Sequence, residues 1–356
     1  MPKCVYLKEA LPDKKTDDGR QTYKCAIHEV CTKTGLNFPY ASCEDCCERL
    51  TLDAKCFDKR FQDDLVIQDW CGVKTHALRN LLANGTAFLV AGGPSARQLD
   101  LSKIEQRGIF SLAVNNMAAY YRASAFICAD PPSKFHNGIW QDPRVMKFVP
   151  TPKMRVNRGG LRKKEDGSFQ QLFINGNKVS ACHCPNVWGF GRRSWLIPDE
   201  SFFLDDHAAW GNLDAGVKKT GGMKTVCTLL LAIRVLYYLG ARRIYLVGVD
   251  MYMDPRRDLH DNYAFREVRD EGAVRSNNNQ YKIVNQWLCE MQQKGIFSKF
   301  GLEIFNCNQN SHLAAFDYAP FDLAVEDALQ FFPKEPFDCD GWYFKEKKKK
   351  NRRRKK

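Results

Sequence analysis

The sequence predicts an α/β fold, a doubly wound, mostly parallel sheet with a small Cys-rich module ahead of it and a basic tail behind. Three observations carry that prediction. From residue 86 onward, short apolar runs alternate with helix-like patterns, the order that parallel strands and their crossovers require. Each apolar run ends in small, polar or turn-forming residues. Finally, 44% of the 356 residues are hydrophobic and 12% aromatic, enough for a core and, by length, for about two domains.

Taken in order, residues 1–56 read as a Cys-rich module with little periodicity, and residues 57–85 as a connector ending in a short helix that Asn84 and Gly85 stop. Residues 86–91 (TAFLVA) are a buried strand that runs into Gly92, Gly93, Pro94 and Ser95, with a helix near 97–106. Residues 109–115 (IFSLAVN) and 123–129 (ASAFICA) are the next strands, the second ending at Asp130 and two prolines. Residues 131–215 lack a clear period and read as an irregular insertion. A buried helix over 222–239 leads to a strand at 243–249 that ends in Asp250. The charged stretch 254–275 reads as mobile. Tyr281, Val284, Trp287, Leu288 and Met291 recur at helical spacing, a last strand covers 303–307, and a short helix covers 322–329. Residues 86–330 thus form one domain and 331–356 an extension.

Charge and cysteine are both unevenly placed. Of the formal +13, the last twelve residues (KEKKKKNRRRKK) carry +9, so basicity belongs to the tail. Such a block offers contact with a polyanion, whether nucleic acid, an anionic membrane surface or an acidic partner, or serves only solubility. Eight of the fifteen cysteines lie in the first 71 residues. Cys4, Cys25, His28, Cys31, Cys43, Cys46 and Cys47 present soft ligands at short spacing, which suits a structural zinc ion. An iron–sulfur cluster or reduced, unliganded thiols remain open alternatives. The first residues lack the apolar core of a secretory signal, and the apolar run 223–239 is interrupted by Lys224 and Arg234, so the expected location is cytoplasmic.

Ligands of doubly wound sheets bind beyond the carboxyl ends of the strands, which directs attention to the strand exits. Small residues at 92–95 let backbone N–H groups approach an anion, although a tight turn needs the same residues. Lys219, Thr220 and Gly221, opening the long apolar helix, invite the same two explanations. Asp250 and Asp130 end strands, where a carboxylate either meets a ligand or caps a turn. Trp188, Phe190, Arg192, Arg193 and Trp195 interleave aromatic and basic side chains, a pattern for stacking on a base or sugar, or for packing on the core.

GGPS after the first strand, VNN at 114–116, the turn at 219–222, RIYLVGVDMY at 243–252 and EIFNCNQNSHLAAF at 303–316 together resemble the bacterial lipooligosaccharide sialyltransferases and their uncharacterised relatives, which include an archaeal pterin pyrophosphokinase. The resemblance spans residues 86–329. It implies a Rossmann-like fold that holds a nucleotide-activated donor, typically CMP-sialic acid, without a catalytic metal. It implies donor contacts at Gly92, Gly93, Pro94 and Ser95, at Asn115 or Asn116, at Thr220 and Gly221, and at Asn310 and Ser311. Lys218 or Lys219 stands where the family has a donor-contacting arginine. His260 lies in the segment that corresponds to the family's histidine base.

The chemistry asks for such a base independently. An acceptor hydroxyl must lose its proton as it attacks, and an imidazole titrating near neutrality suits that task. His260 and His312 are the candidates, with Asp250 a further one. The first expectation is therefore a glycosyltransferase-like enzyme passing a group from a nucleotide-linked sugar to a glycan or to a modified nucleic acid. The second is a nucleic-acid-binding protein whose α/β domain is an inactive nucleotide scaffold. A third, pyrophosphoryl transfer, requires magnesium and ATP. The residues leave the oligomeric state open.

Overall fold

A computed structural model describes residues 7–15, 21–25, 65–69, 72, 74–76, 78–82, 85–106, 108–142, 144–155, 160–163, 169–172, 180–212, 225–257, 259–265 and 273–330. Its centre is a nine-stranded sheet. In chain order the strands are β1 (Ile67–Gln68), β2 (Lys74–Thr75), β3 (Thr86–Val90), β4 (Phe110–Val114), β5 (Ala125–Ile127), β6 (Met146–Pro150), β7 (Val187–Phe190), β8 (Arg243–Val247) and β9 (Glu303–Asn306). Across the sheet they lie in the order β9-β8-β3-β4-β5-β6-β7-β1-β2. Strands β3 to β9 pair in parallel, while β1 and β2 close one edge antiparallel.

The strands read as apolar runs because both of their faces are buried. Along β3, Ala87 and Leu89 join one core cluster and Phe88 and Val90 the other, as the two-residue period of a strand dictates. The first face carries helix α1 (Thr228–Tyr238), whose residues from Leu229 to Tyr238 are all buried, and helix α2 (Ala273–Gln293), which lays Val284, Leu288 and Met291 on the same cluster. The second face carries helix α3 (Phe321–Gln330) through Phe321, Ala324, Val325 and Ala328. The product is a three-layer α/β sandwich.

The chain walks outward from β3 through β4, β5, β6 and β7, then crosses to the other side of β3 to lay down β8 and β9. The walk reverses between β3 and β8. In open α/β sheets that reversal opens a crevice at the carboxyl ends of the two strands.

Several local expectations are corrected. The stretch 131–215 is not uniformly irregular, because it supplies β6 and β7, and the connector 57–85 supplies β1 and β2. The helix expected near 97–106 is two 3-10 turns, Pro94–Gln98 and Leu101–Ile104; Asp100 caps the second by accepting the Ser102 N–H at 3.2 Å. The segment after β8 is anchored as far as residue 265, with the Ala264 N–H donating to the Gly92 carbonyl at 2.8 Å. In the Cys-rich front the described residues form a hairpin of Leu7–Lys15 and Gln21–Cys25. Cys4, His28, Cys31, Cys43, Cys46 and Cys47 lie outside the described residues, as do Lys219, Thr220, Gly221 and the basic tail. Among the described residues no helix is long and apolar enough to cross a membrane.

Candidate functional site

The site begins where β3 and β8 leave the sheet side by side. Gly248 is left-handed (φ 66°), and a Cβ there would overlap the Ala91 carbonyl. A Cβ at Gly93 would overlap both the Gly248 carbonyl and Asp250 Oδ2. Glycine at these two positions lets the strand exits touch, with the Gly93 N–H donating to the Gly248 carbonyl at 2.8 Å. Asp250 then ties three exits together. Its Oδ2 accepts the Ser95 N–H at 3.1 Å, its Oδ1 accepts the Asn308 side-chain amide, and its carbonyl accepts the His312 N–H at 2.9 Å.

This junction spends groups that sequence offers to a ligand. The N–H groups of Gly93 and Ser95 are satisfied inside the protein, and Pro94 has none. Ser311 donates its hydroxyl to the Val249 carbonyl at 2.6 Å and accepts the Leu313 N–H at 3.0 Å, while the Asn310 N–H donates to Asn308 Oδ1 at 3.0 Å. Asn310 and Ser311 shape the turn after β9, and neither is among the described residues lining the cleft beside it.

That cleft has a volume of about 350 Å³. Gly92, Gly93 and Asp250 form its floor, and Asn115 and Asp130 form one wall at the exits of β4 and β5. The opposite wall is the N-terminus of α1 at Cys227 and Thr228, with Asn277, Gln280 and Tyr281 of α2. Tyr252, Tyr263 and Phe265 also line it. The Phe265 ring covers Gly92, where a Cβ would lie 2.9 Å from the ring edge, and stacks on Tyr120 at a centroid distance of 4.3 Å.

Two features mark the cleft as more than a packing defect. Asn115 Oδ1, in the lining, and Ser95 Oγ, in the residue after the lining Pro94, are among the buried polar atoms with no hydrogen-bond partner among the described residues. Asn115 (φ 55°) and Met251 (φ 52°) are both left-handed, a conformation that costs an L-residue roughly 1–2 kcal/mol and gathers at functional sites. Both line the cleft.

The electrostatics are distinctive. The described lining holds the carboxylates of Asp130 and Asp250 but no lysine, arginine or histidine. Asp130 pairs at the surface with Lys134 at 3.2 Å. Burial pushes the Cys227 thiol up to about 11, against the pull of the Leu229 and Leu230 N–H groups, so it stays a thiol at neutral pH and is no ready nucleophile. Positive potential comes instead from the first turn of α1, whose N–H groups lack partners within the helix.

Of the remaining sequence candidates, His312 is exposed and not among the described lining residues, but its ring stacks on the lining residue Tyr252, centroids 4.5 Å apart. His260 lies in the 3-10 turn Leu259–Asn262, just ahead of Tyr263. Asn116 follows Asn115 in its turn and is not among the described lining residues. The aromatic–basic stretch divides. Trp188 and Phe190 belong to the core, Arg193 is buried against Asp205, and Trp195 is half exposed on the surface. Arg192 stays outside the described lining and donates to the carbonyl of the lining residue Ala129 at 3.0 Å.

Sequence reasoning missed the α2 wall. Asn278 clamps Met253 at two points, accepting its N–H at 2.7 Å and donating to its carbonyl at 2.8 Å. Asn262 grips Asp254 in the same way at 2.6 and 3.0 Å. The polar run SNNNQ at 276–280, opening an amphipathic helix, was the available signal.

A wider, more open hollow of about 630 Å³ is lined by Asp199, Glu200, Ser201, Leu204, Asp205 and Asp206. Its Asp205 is taken by Arg193 and its Asp206 by His207, and no strand exit reaches it. The smaller cleft is therefore the candidate site. Compared with family models, curated proteins and solved structures, the chain finds no match in any of the three.

Proposed function

We propose that the cleft holds a nucleotide-activated donor and that the protein is a glycosyltransferase-like enzyme acting on a hydroxyl acceptor. The observation that carries this reading is Asn115 Oδ1, buried and without a hydrogen-bond partner among the described residues, in a cleft at the switch point of a parallel sheet. Carboxylates, amides and aromatic rings suit the hydroxyls and ring of a nucleoside better than they suit a polyphosphate. The phosphate is met at the N-terminus of α1, where backbone N–H groups stabilise the leaving charge and the chemistry draws on no metal ion.

The acceptor hydroxyl, a glycan's or a modified nucleic acid's, enters from the mouth and yields its proton to His312 or His260. The zinc proposed for the Cys-rich front and the polyanion proposed for the tail stand outside this chemistry.

The test is release of nucleotide from CMP-, UDP- and GDP-linked sugars in the presence of a chelator. One donor is consumed, and either His312→Ala or His260→Ala slows turnover by roughly 10²–10⁴-fold. Consumption of ATP with magnesium only would replace this reading with pyrophosphoryl transfer. Inertness toward every donor, joined to salt-sensitive nucleic-acid binding, would replace it with the scaffold.

A further inference from the structure

We propose that Trp210 is the platform on which the ligand's planar base stacks, with Arg192 as the positioning residue behind it; the proposal rests on the nucleotide reading above. A short parallel ladder pairs Arg192 with Ala208 and Arg193 with Ala209, and the Trp210 N–H continues it to the Arg193 carbonyl at 3.0 Å. Side chains alternate along such a ladder, so Arg192, Ala208 and Trp210 share one face and Arg193 takes the other. On that second face Arg193 is buried against Asp205 and Ser201. On the first, the Arg192 guanidinium carbon sits 4.0 Å from the centre of the Trp210 ring.

Trp210 is half-buried and lines the cleft. A guanidinium held over the indole fixes the ring's plane and favours it electrostatically. The guanidinium is itself held by the Ala129 carbonyl at 3.0 Å, beside the cleft residue Asp130. The Trp210 carbonyl accepts the Cys227 N–H at 2.9 Å, which fastens the indole next to the first turn of α1. A ring resting on Trp210 therefore has its phosphate's helix N-terminus close by, the arrangement a nucleotide requires. Stacking is tolerant of base identity, so the platform supplies affinity, while amides such as Asn115 and Gln280 supply choice among bases.

The experiment titrates CMP, UMP, AMP, GMP and ribose 5-phosphate into the full-length wild type, Trp210→Phe, Trp210→Leu, Arg192→Lys and Arg192→Met, by calorimetry and by tryptophan fluorescence. For the nucleotide that binds, Trp210→Leu weakens affinity on the order of tenfold to a hundredfold while ribose 5-phosphate is unaffected. Trp210→Phe keeps most of the affinity, and so stands even where the leucine variant fails to fold, but loses the fluorescence quench seen in wild type. Arg192→Met weakens nucleotide binding several-fold and Arg192→Lys restores part of it. Undiminished nucleotide binding by a folded Trp210→Leu, or a quench that survives in Trp210→Phe, overturns the platform and leaves the cleft reading standing. No nucleotide binding by wild type overturns both.

Discussion

Lys147, the second residue of β6, has 0% of its surface exposed, where an unpaired ammonium would be prohibitive. Its Nζ donates to the carbonyls of Asp142, Val145 and Pro185 at 2.6, 2.8 and 2.8 Å, so the charge is met by oxygens of two loops. Burial pushes its titration down to about 7, with Cys184 and Asp142 acting in the opposite direction. Between about pH 7 and the ordinary lysine value near 10.4 the unfolded chain holds the extra proton, so this residue's contribution to stability rises with pH over that window. Lys147→Met removes that slope and takes a donor from the Val145 and Pro185 carbonyls and from that of Asp142, which keeps the Val145 N–H at 3.4 Å. We expect a loss of roughly 3 kcal/mol at pH 7, allowing 1–3 kcal/mol for each orphaned group and partial relaxation. Urea midpoints across pH 7–10 check both statements, and a wild-type slope that persists in the variant contradicts them.

At the scale of elements, the junction of β3 and β8 decides the geometry of everything above it. Gly93, Gly248 and Asp250 let two strand exits meet and let β9's turn join them through Asn308 and His312. Gly93→Ala places a methyl group against backbone and carboxylate rather than against a flexible side-chain end, and such overpacking costs roughly 1–3 kcal/mol. We expect that loss in the urea midpoint together with weakened nucleotide binding, because displacing Asp250 releases the Ser95 N–H. Gly92→Ala meets the far edge of the Phe265 ring and, at 3.8 Å, Tyr263, side chains rather than backbone, and should cost less. Equal penalties at the two positions would argue against Asp250 as the tie.

For the whole molecule, the sheet was legible where strands are apolar on both faces, as at TAFLVA and RIYLVGV, and illegible where tertiary contacts excuse a polar residue. Strand β6 (MKFVP) hides behind Lys147 and Pro150, and β7 (VWGF) is only four residues long. The strand exits could be read from sequence because turn chemistry is local. The α2 wall and Trp210 could not, since Asn277 reaches the cleft only after the chain folds back behind β8, and Trp210 only through the pairing of 192–193 with 208–209. All three scales meet in the proposed binding of a nucleotide in the switch-point cleft at Asn115, beside the turn that carries Ser95. Calorimetry with CMP, UDP, GDP and ATP, with and without magnesium, on wild type, Ser95→Ala and Asn115→Ala tests it most directly. One nucleotide should bind without metal and weaken about tenfold in each variant, while Ser95→Ala, relieved of an unpaired buried hydroxyl, stays at least as stable as wild type. Nucleotide binding that neither substitution changes, or none at all, would contradict it.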